Sequence, residues 1–321
     1  MMRSTDHAQT FARFNALDAA LRETARACRP EYARRFAALA LLGVQDEPRS
    51  LAQRTSNIAE DLVGAPGIAS AARPVFAASL VIAGRSVDDY LRTREALSPV
   101  LRGGLRKGLP SAALIYAAAG RSQIDDAMRA RIEGIAPLVR APWWCAAAAR
   151  NGFFAAALAL DGDRLDVIEA RVEAARRALD SAGASTGLAR DGGRELALTG
   201  AEPVSAALTW SKLRALRGAH QWRGLKPASL IGPAAAVGAD ADAAARALDD
   251  AYDAVHSLRP RVSSVARPFL AAGLARFLLS PTAAPGDSAV SAVQGALAII
   301  AANEAAMAAV IASGAAVVAA T

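Results

Sequence analysis

Ser79-Leu80-Val81-Ile82-Ala83-Gly84-Arg85-Ser86-Val87-Asp88-Asp89 holds the pattern that decides the fold. An apolar run closes in glycine, two residues later comes a hydroxyl, and three further on a carboxylate. Glycine after an apolar helix suits a left-handed C-terminal cap, because it lacks the β-carbon that disfavours that conformation. Serine with an acid three positions on is the signature of a helix N-terminus, where side-chain oxygens accept the N–H groups that have no helical partner. The stretch therefore reads as the end of one helix, a tight turn and the start of a second.

The same run-to-glycine element recurs at Ala38–Gly43, Ile115–Gly120, Ala157–Gly162, Glu195–Gly200 and Pro233–Gly238. Successive glycines stand 41, 36, 42, 38 and 38 residues apart, and Arg276–Ser280 falls where a seventh run is due, with serine in place of glycine. Upstream, Pro30, Pro74, Pro110 and Pro268 suit first helical positions, where the missing N–H costs nothing. Downstream, Ser122 with Asp125, Asp163 with Asp166, Asp240, and Glu202-Pro203 repeat the acidic start. Leu101-Arg102-Gly103, Val139-Arg140, Leu216-Arg217-Gly218 and Leu258-Arg259-Pro260 mark the ends of the second helices. The expectation is an all-α chain of α-helical hairpin repeats, about seven with a period of 36–42 residues. Such repeats stack as a solenoid or a closed α/α array, since no single pair can bury its apolar face alone.

Composition agrees. The chain has 321 residues, 84 of them alanine, with 53% hydrophobic and 5% aromatic content, which favours helix and excludes a β-sandwich or global disorder. One domain over 1–321 is expected: an N-terminal capping helix in 1–28, with Phe11, Phe14, Leu17 and Leu21 on one face, repeats over 30–280, and a C-terminal helix with an alanine-rich tail over 288–321. The stretch Ser181–Gly193 reads as a long loop and candidate hinge, and the glycine pairs Gly103-Gly104 and Gly192-Gly193 read as turns. The run Ala305–Ala320 is 16 residues, short of the roughly 20 needed to span a bilayer, so a membrane anchor is not expected. Two cysteines 117 positions apart, Cys28 and Cys145, support neither a disulfide framework nor a zinc site, and the polar start lacks a secretory core. A reducing cytoplasm is expected. No cofactor is called for, and no P-loop, GxSxG or HExxH motif occurs.

The net charge of +7 is uneven: residues 66–142 carry 11 basic and 6 acidic side chains. Beside that segment Arg140, Trp143, Trp144 and Arg150 join Arg102, Arg106 and Lys107 as the candidate partner-binding constellation, because tryptophan with arginine can anchor a peptide or stack on bases. Asp249-Asp250-Ala251-Tyr252-Asp253 matches DDxxD, by which helical isoprenoid synthases hold Mg²⁺ on a diphosphate. Asp249 and Asp253 share a helix face, yet after Asp253 only Asp287 and Glu304 remain for the second acidic motif such enzymes need. His220, His256 and Cys145 have no partner at ligand spacing and read as structural.

In length and hairpin design the repeat resembles the tetratricopeptide and HEAT group, without the tetratricopeptide consensus. The apolar runs closing in glycine before acidic helices, and the alanine tail around Met307, also resemble an uncharacterised bacterial family of about 320 residues, unknown-function family 4003. Neither resemblance implies an activity. The leading expectation is a protein- or peptide-binding scaffold without catalysis. The alternative is nucleic-acid binding through 66–142, which turns on whether Arg92, Arg94, Arg102, Arg129, Arg131 and Arg140 share one face or pair with Asp88, Asp89, Asp125 and Asp126. A third reading is a Mg²⁺-dependent prenyl-diphosphate enzyme using Asp249 and Asp253.

Overall fold

The computed structural model describes residues 4–24, 31–70, 72–141, 150–222, 225–262 and 266–279. Among them there is no strand, and the chain forms fourteen α-helices. The odd helices are α1 (Ser4–Thr24), α3 (Pro48–Asp61), α5 (Val87–Leu97), α7 (Asp126–Ile135), α9 (Leu165–Ser181), α11 (Pro203–Leu216) and α13 (Ala241–Ser257). The even helices are α2 (Glu31–Leu41), α4 (Arg73–Ala83), α6 (Leu109–Ala118), α8 (Asn151–Leu160), α10 (Thr186–Thr199), α12 (Ile231–Val237) and α14 (Arg267–Leu279). The expected tail over 288–321 lies outside the described residues, and no described helix is long and apolar enough to cross a membrane.

The two sets differ because their sequences differ. Even helices such as α4, RPVFAASLVIA, and α8, NGFFAAALAL, are apolar almost all round and are buried almost all round. Odd helices carry one apolar stripe, as in α13, where Ala244, Leu248, Ala251 and Val255 are buried at helical spacing and the acids face outward. The caps expected at Ser86, Glu202 and Asp240 are present, whereas α7 is capped by Asp125 itself and not by Ser122, and α9 starts after Arg164 with no side-chain cap in place of the expected Asp163. Ser86 accepts the Asp89 N–H at 3.2 Å while Asp89 Oδ2 accepts the Ser86 N–H at 2.9 Å, and these bonds hold the Asp89 carboxyl below its ordinary range. Glu47, Asp125, Glu202 and Asp240 cap α3, α7, α11 and α13 in the same way. Gly84 and Gly200 take the left-handed conformation, φ 62° and 68°, that lets α4 and α10 stop short.

Packing follows a phase that differs from the expected hairpins. The helices on either side of the Gly43, Gly84, Gly120 and Gly162 turns make little contact, and each odd helix lies instead along the even helix that follows it: α1 on α2, α3 on α4, and so on to α13 on α14. The glycine turn is thus a corner. Helix α1 is the packed partner of α2 and also touches α3, so it takes the place of an ordinary odd helix. Even helices touch in succession, α2 with α4, α6, α8, α10, α12 and α14 in order, and α14 comes back against α2. Gly43 and Phe277 meet at the C-terminal ends of α2 and α14, while Gly108 and Phe153 meet at the N-terminal ends of α6 and α8.

Two further expectations are corrected. Helices α5, α7 and α13 end at Leu97, Ile135 and Ser257, ahead of the Leu-Arg or Val-Arg signatures, which belong to the connections. The stretch Ser181–Gly193 is not a loop: α9 ends at Ser181, α10 begins at Thr186, and Gly192-Gly193 lie inside α10. A β-carbon on Gly193 would stand 2.9 Å from the Arg176 backbone nitrogen, and one on Gly192 would strike Ile231. The pair is there for close approach of α9, α10 and α12, at the cost of helix propensity.

Candidate functional site

A short 3-10 turn over Gly103–Gly108 carries Arg106 and Lys107, with Arg102 at its N-cap. Its backbone is pressed onto the start of α8: a β-carbon on Gly152 would collide with the Leu105 carbonyl oxygen, and one on Gly108 with the Phe153 nitrogen. Bare backbone on both sides makes this a rigid junction. Arg102, Arg106 and Lys107 point from it into solvent, and Arg140 is exposed on the next connection. Among the described residues none of these four has an ion pair or a side-chain hydrogen bond.

Beside them a polar network ties α8 to α10. Asn151 closes on the Ala141 backbone, accepting its N–H at 3.0 Å and donating to its carbonyl at 3.2 Å. Arg194, 1% exposed, donates from Nη1 to Asn151 Oδ1 at 3.1 Å and from Nη2 to Asp191 Oδ1 at 2.6 Å, with its guanidinium 5.3 Å from the Phe154 ring centre. Arg190 Nε donates to the same Asp191 oxygen at 3.1 Å, and Arg150 stands 3.8 Å from Asp191 Oδ2. Burial pulls the Arg194 guanidinium down to about 10, against the opposing pull of Asp191, so it stays charged at neutral pH. Three guanidiniums therefore share one carboxylate.

Of the constellation expected from sequence, the structure brings Arg102, Arg106 and Lys107 to the end of α8 where Arg150 begins the helix, with Arg140 on the connection leading to it. Trp143 and Trp144 lie outside the described residues. Arg190, Asp191, Arg194 and Asn151 were missed, because Arg194 and Asn151 meet across 43 residues of chain. Their only sequence signal was charge at i, i+1 and i+4 in a stretch read as loop.

The six arginines named for nucleic-acid binding do not share a face. Arg92 pairs with Asp89 at 2.7 Å, Arg129 with Asp126 at 4.0 Å, and Arg131 donates to the carbonyls of Ala159, Asp161 and Asp163 at the end of α8. Arg94 is half-buried near Tyr90, and Arg102 and Arg140 are left exposed without a carboxylate.

The DDxxD carboxylates have separate occupations. Asp249 accepts the Trp222 indole N–H at 2.9 Å and lies 2.9 Å from His220 Nδ1, with imidazole and indole stacked at 4.9 Å. Asp253 accepts from Gln221 Nε2 at 2.8 Å, and Asp250 lies 2.7 Å from His7 Nδ1. They pin the 220–222 segment and α1 to α13. Among the described residues no three His, Cys, Asp or Glu side chains converge as a metal site. One apolar groove of about 400 Å³ runs between α9 and α11, where Val204 and Leu208 are more than half exposed.

No family model matches this chain, and no curated protein or solved structure matches it either.

Proposed function

We propose that this chain is a binding scaffold without catalysis of its own, built as a single closed double ring of seven helix pairs, which takes an acidic macromolecular partner on one end. The contact order of the even helices, with α14 returning to α2, supports the ring. The observation that carries the binding reading is the set Arg102, Arg106 and Lys107: exposed cations without carboxylate partners, on a turn whose backbone is locked against α8. Pre-organisation lowers the ordering cost of an interface, and cations free of partners need no ion pair broken before they bind. A protein or peptide partner, the expectation from sequence, then has to present carboxylates over its contact area. The scarcity and wide spacing of cysteine support a reducing compartment, the cytoplasm, as the place of action.

Poly-L-glutamate, titrated calorimetrically against the wild type and the Arg102→Ala/Arg106→Ala/Lys107→Ala variant, tests this reading. The expected result is binding to the wild type and at least a tenfold loss in the variant, about 1.4 kcal/mol, with the melting temperature unchanged. Binding of equal strength, or a fall in melting temperature that accounts for the loss, contradicts it.

A further inference from the structure

The connections between helices are segregated by charge. Those leading from an odd helix to the next even one (25–30, 62–72, 98–108, 136–150, 182–185, 217–230 and 258–266) contain twelve Arg or Lys and no Asp or Glu. Nine of the twelve are among the described residues: Arg102, Arg106, Lys107, Arg140, Arg150, Arg217, Lys226, Arg259 and Arg261. Those leading from an even helix to the next odd one (42–47, 84–86, 119–125, 161–164, 200–202 and 238–240) hold seven acids, against Arg85, Arg121 and Arg164.

Helix chemistry accounts for the acids and for Arg217 and Arg259, but not for the other exposed cations. Glu47, Asp125, Glu202 and Asp240 cap odd helices, and Asp161 and Asp163 pair with Arg171. Arg217 and Arg259 stand at the C-terminal ends of α11 and α13, where positive charge suits the helix dipole, but Arg102, Arg106, Lys107 and Lys226 stand ahead of the N-termini of α6 and α12, where it opposes the dipole. From α4 onward no even helix has an acid in its first turn to offset them. Arg217 and Arg259 donate to nearby carbonyls, but Arg102, Arg106, Lys107, Arg140, Lys226 and Arg261 are exposed with no such role. Connections also meet the start of the even helix beyond the one they lead into: Gly67 meets Pro110 of α6, Leu105 meets Gly152 of α8, and Arg35 of α2 donates to the Pro260 carbonyl at 2.6 Å. The nearest exposed carboxylates, Glu23, Glu60, Asp61, Glu95, Glu133, Asp180 and Asp253, lie on the odd helices towards their C-terminal ends, and Asp253 is the one that bonds to a connection, through Gln221.

Resting on the reading of this end as the binding surface, we infer that its partner is a nucleic acid held by its phosphates. A surface with no carboxylate on any connection has nothing to offer the lysines and arginines that folded proteins intersperse among their acids. A sugar-phosphate backbone is uniformly negative, matches several connections at once, and suits the forked donors of arginine. Recognition through phosphates alone carries no base preference.

Anisotropy of a fluorescein-labelled single-stranded 20-mer, measured with the full chain at 50 and 200 mM NaCl, tests the inference. Engagement of about four phosphates gives a salt slope near −2.8 and about a fifty-fold loss of affinity over that range. Arg102→Glu/Arg106→Glu/Lys107→Glu and, separately, Lys226→Glu/Arg261→Glu are expected to weaken binding at least fivefold. Arg121→Glu/Arg164→Glu, at the opposite connections and with the same charge change as the second variant, is expected to weaken it less than twofold. Equal loss in all three variants, or no binding at 50 mM, overturns the inference. Poly-L-glutamate of matched charge bound as tightly as the oligonucleotide overturns the nucleic-acid assignment and leaves the scaffold reading standing. Failure of both polyanions to bind removes both readings.

Discussion

Replacing Asp191 by asparagine removes the one carboxylate shared by Arg150, Arg190 and Arg194 while keeping the shape of the side chain. Arg194 is 1% exposed and its 2.6 Å bond to Asp191 is its shortest, leaving afterwards only Asn151 Oδ1 at 3.1 Å, the Arg190 carbonyl at 3.4 Å and the Phe154 ring. Stranding a buried charge costs about 3–5 kcal/mol. Asp191 itself is 23% exposed, so solvent offsets part of this and about 2–3 kcal/mol is expected. For a chain of this size that is a fall of about 3–5 °C in melting temperature. Urea unfolding followed by circular dichroism at pH 7 is the assay, with a lowered midpoint at unchanged slope. Adding Arg194→Met removes the stranded charge with its partner, so the double variant should recover to within about 1 kcal/mol of wild type. The same Asp191→Asn change raises the local positive charge, so it should tighten polyanion binding while destabilising the fold. A single variant within 0.5 kcal/mol of wild type, or a double variant as unstable as the two singles summed, refutes the reasoning.

Other outcomes follow from particular contacts. Gly152→Ala sets a methyl group against the Leu105 carbonyl, where backbone has to move, and about 2–4 kcal/mol of stability should be lost in the same urea assay. Asp249→Ala strands the Trp222 indole N–H, whose ring is fully buried, and should cost about 1–3 kcal/mol; pyrophosphate binding that needs Mg²⁺ and disappears with this change would restore the prenyl-diphosphate reading. Burial pushes the Tyr90 hydroxyl up to about 12, against a weaker opposing pull from Arg94. The unfolded tyrosine loses its proton near pH 10 while the folded one keeps it, so stability is full below pH 10 and falls by about 2–3 kcal/mol between pH 10 and 12. Tyr90→Phe should flatten that part of a melting-temperature profile.

Much of the fold was legible because its signals are local. Ser86 with Asp89, Glu202 and the left-handed Gly84 and Gly200 act within a few residues, and each is found where the pattern put it, while at α7 the start shifts by three residues because Asp125 takes the capping place expected of Ser122. The phase of packing was not legible, since a glycine turn says that the chain reverses and nothing about which neighbour a helix lies along. Gly192-Gly193 misled for a related reason: glycine marks a turn when backbone conformation demands it, but here the demand is for space beside Arg176 and Ile231. The site was half legible. Arg102, Arg106 and Lys107 stood out as unbalanced charge, while Asp191 and Arg194 gain meaning only through contact with Asn151 and Arg150. Asp249 shows the converse, a motif whose spacing suits a metal and whose carboxylate holds His220 and Trp222.

On the proposed reading, the unpaired cations on one set of connections form the binding surface. Hydrogen exchange of the full chain with and without saturating polyanion tests it most directly. Slowed exchange confined to 98–108, 136–141, 217–222 and 258–262 is expected. Protection concentrated at 42–47, 119–125 and 161–164, or in the groove between α9 and α11, would contradict it.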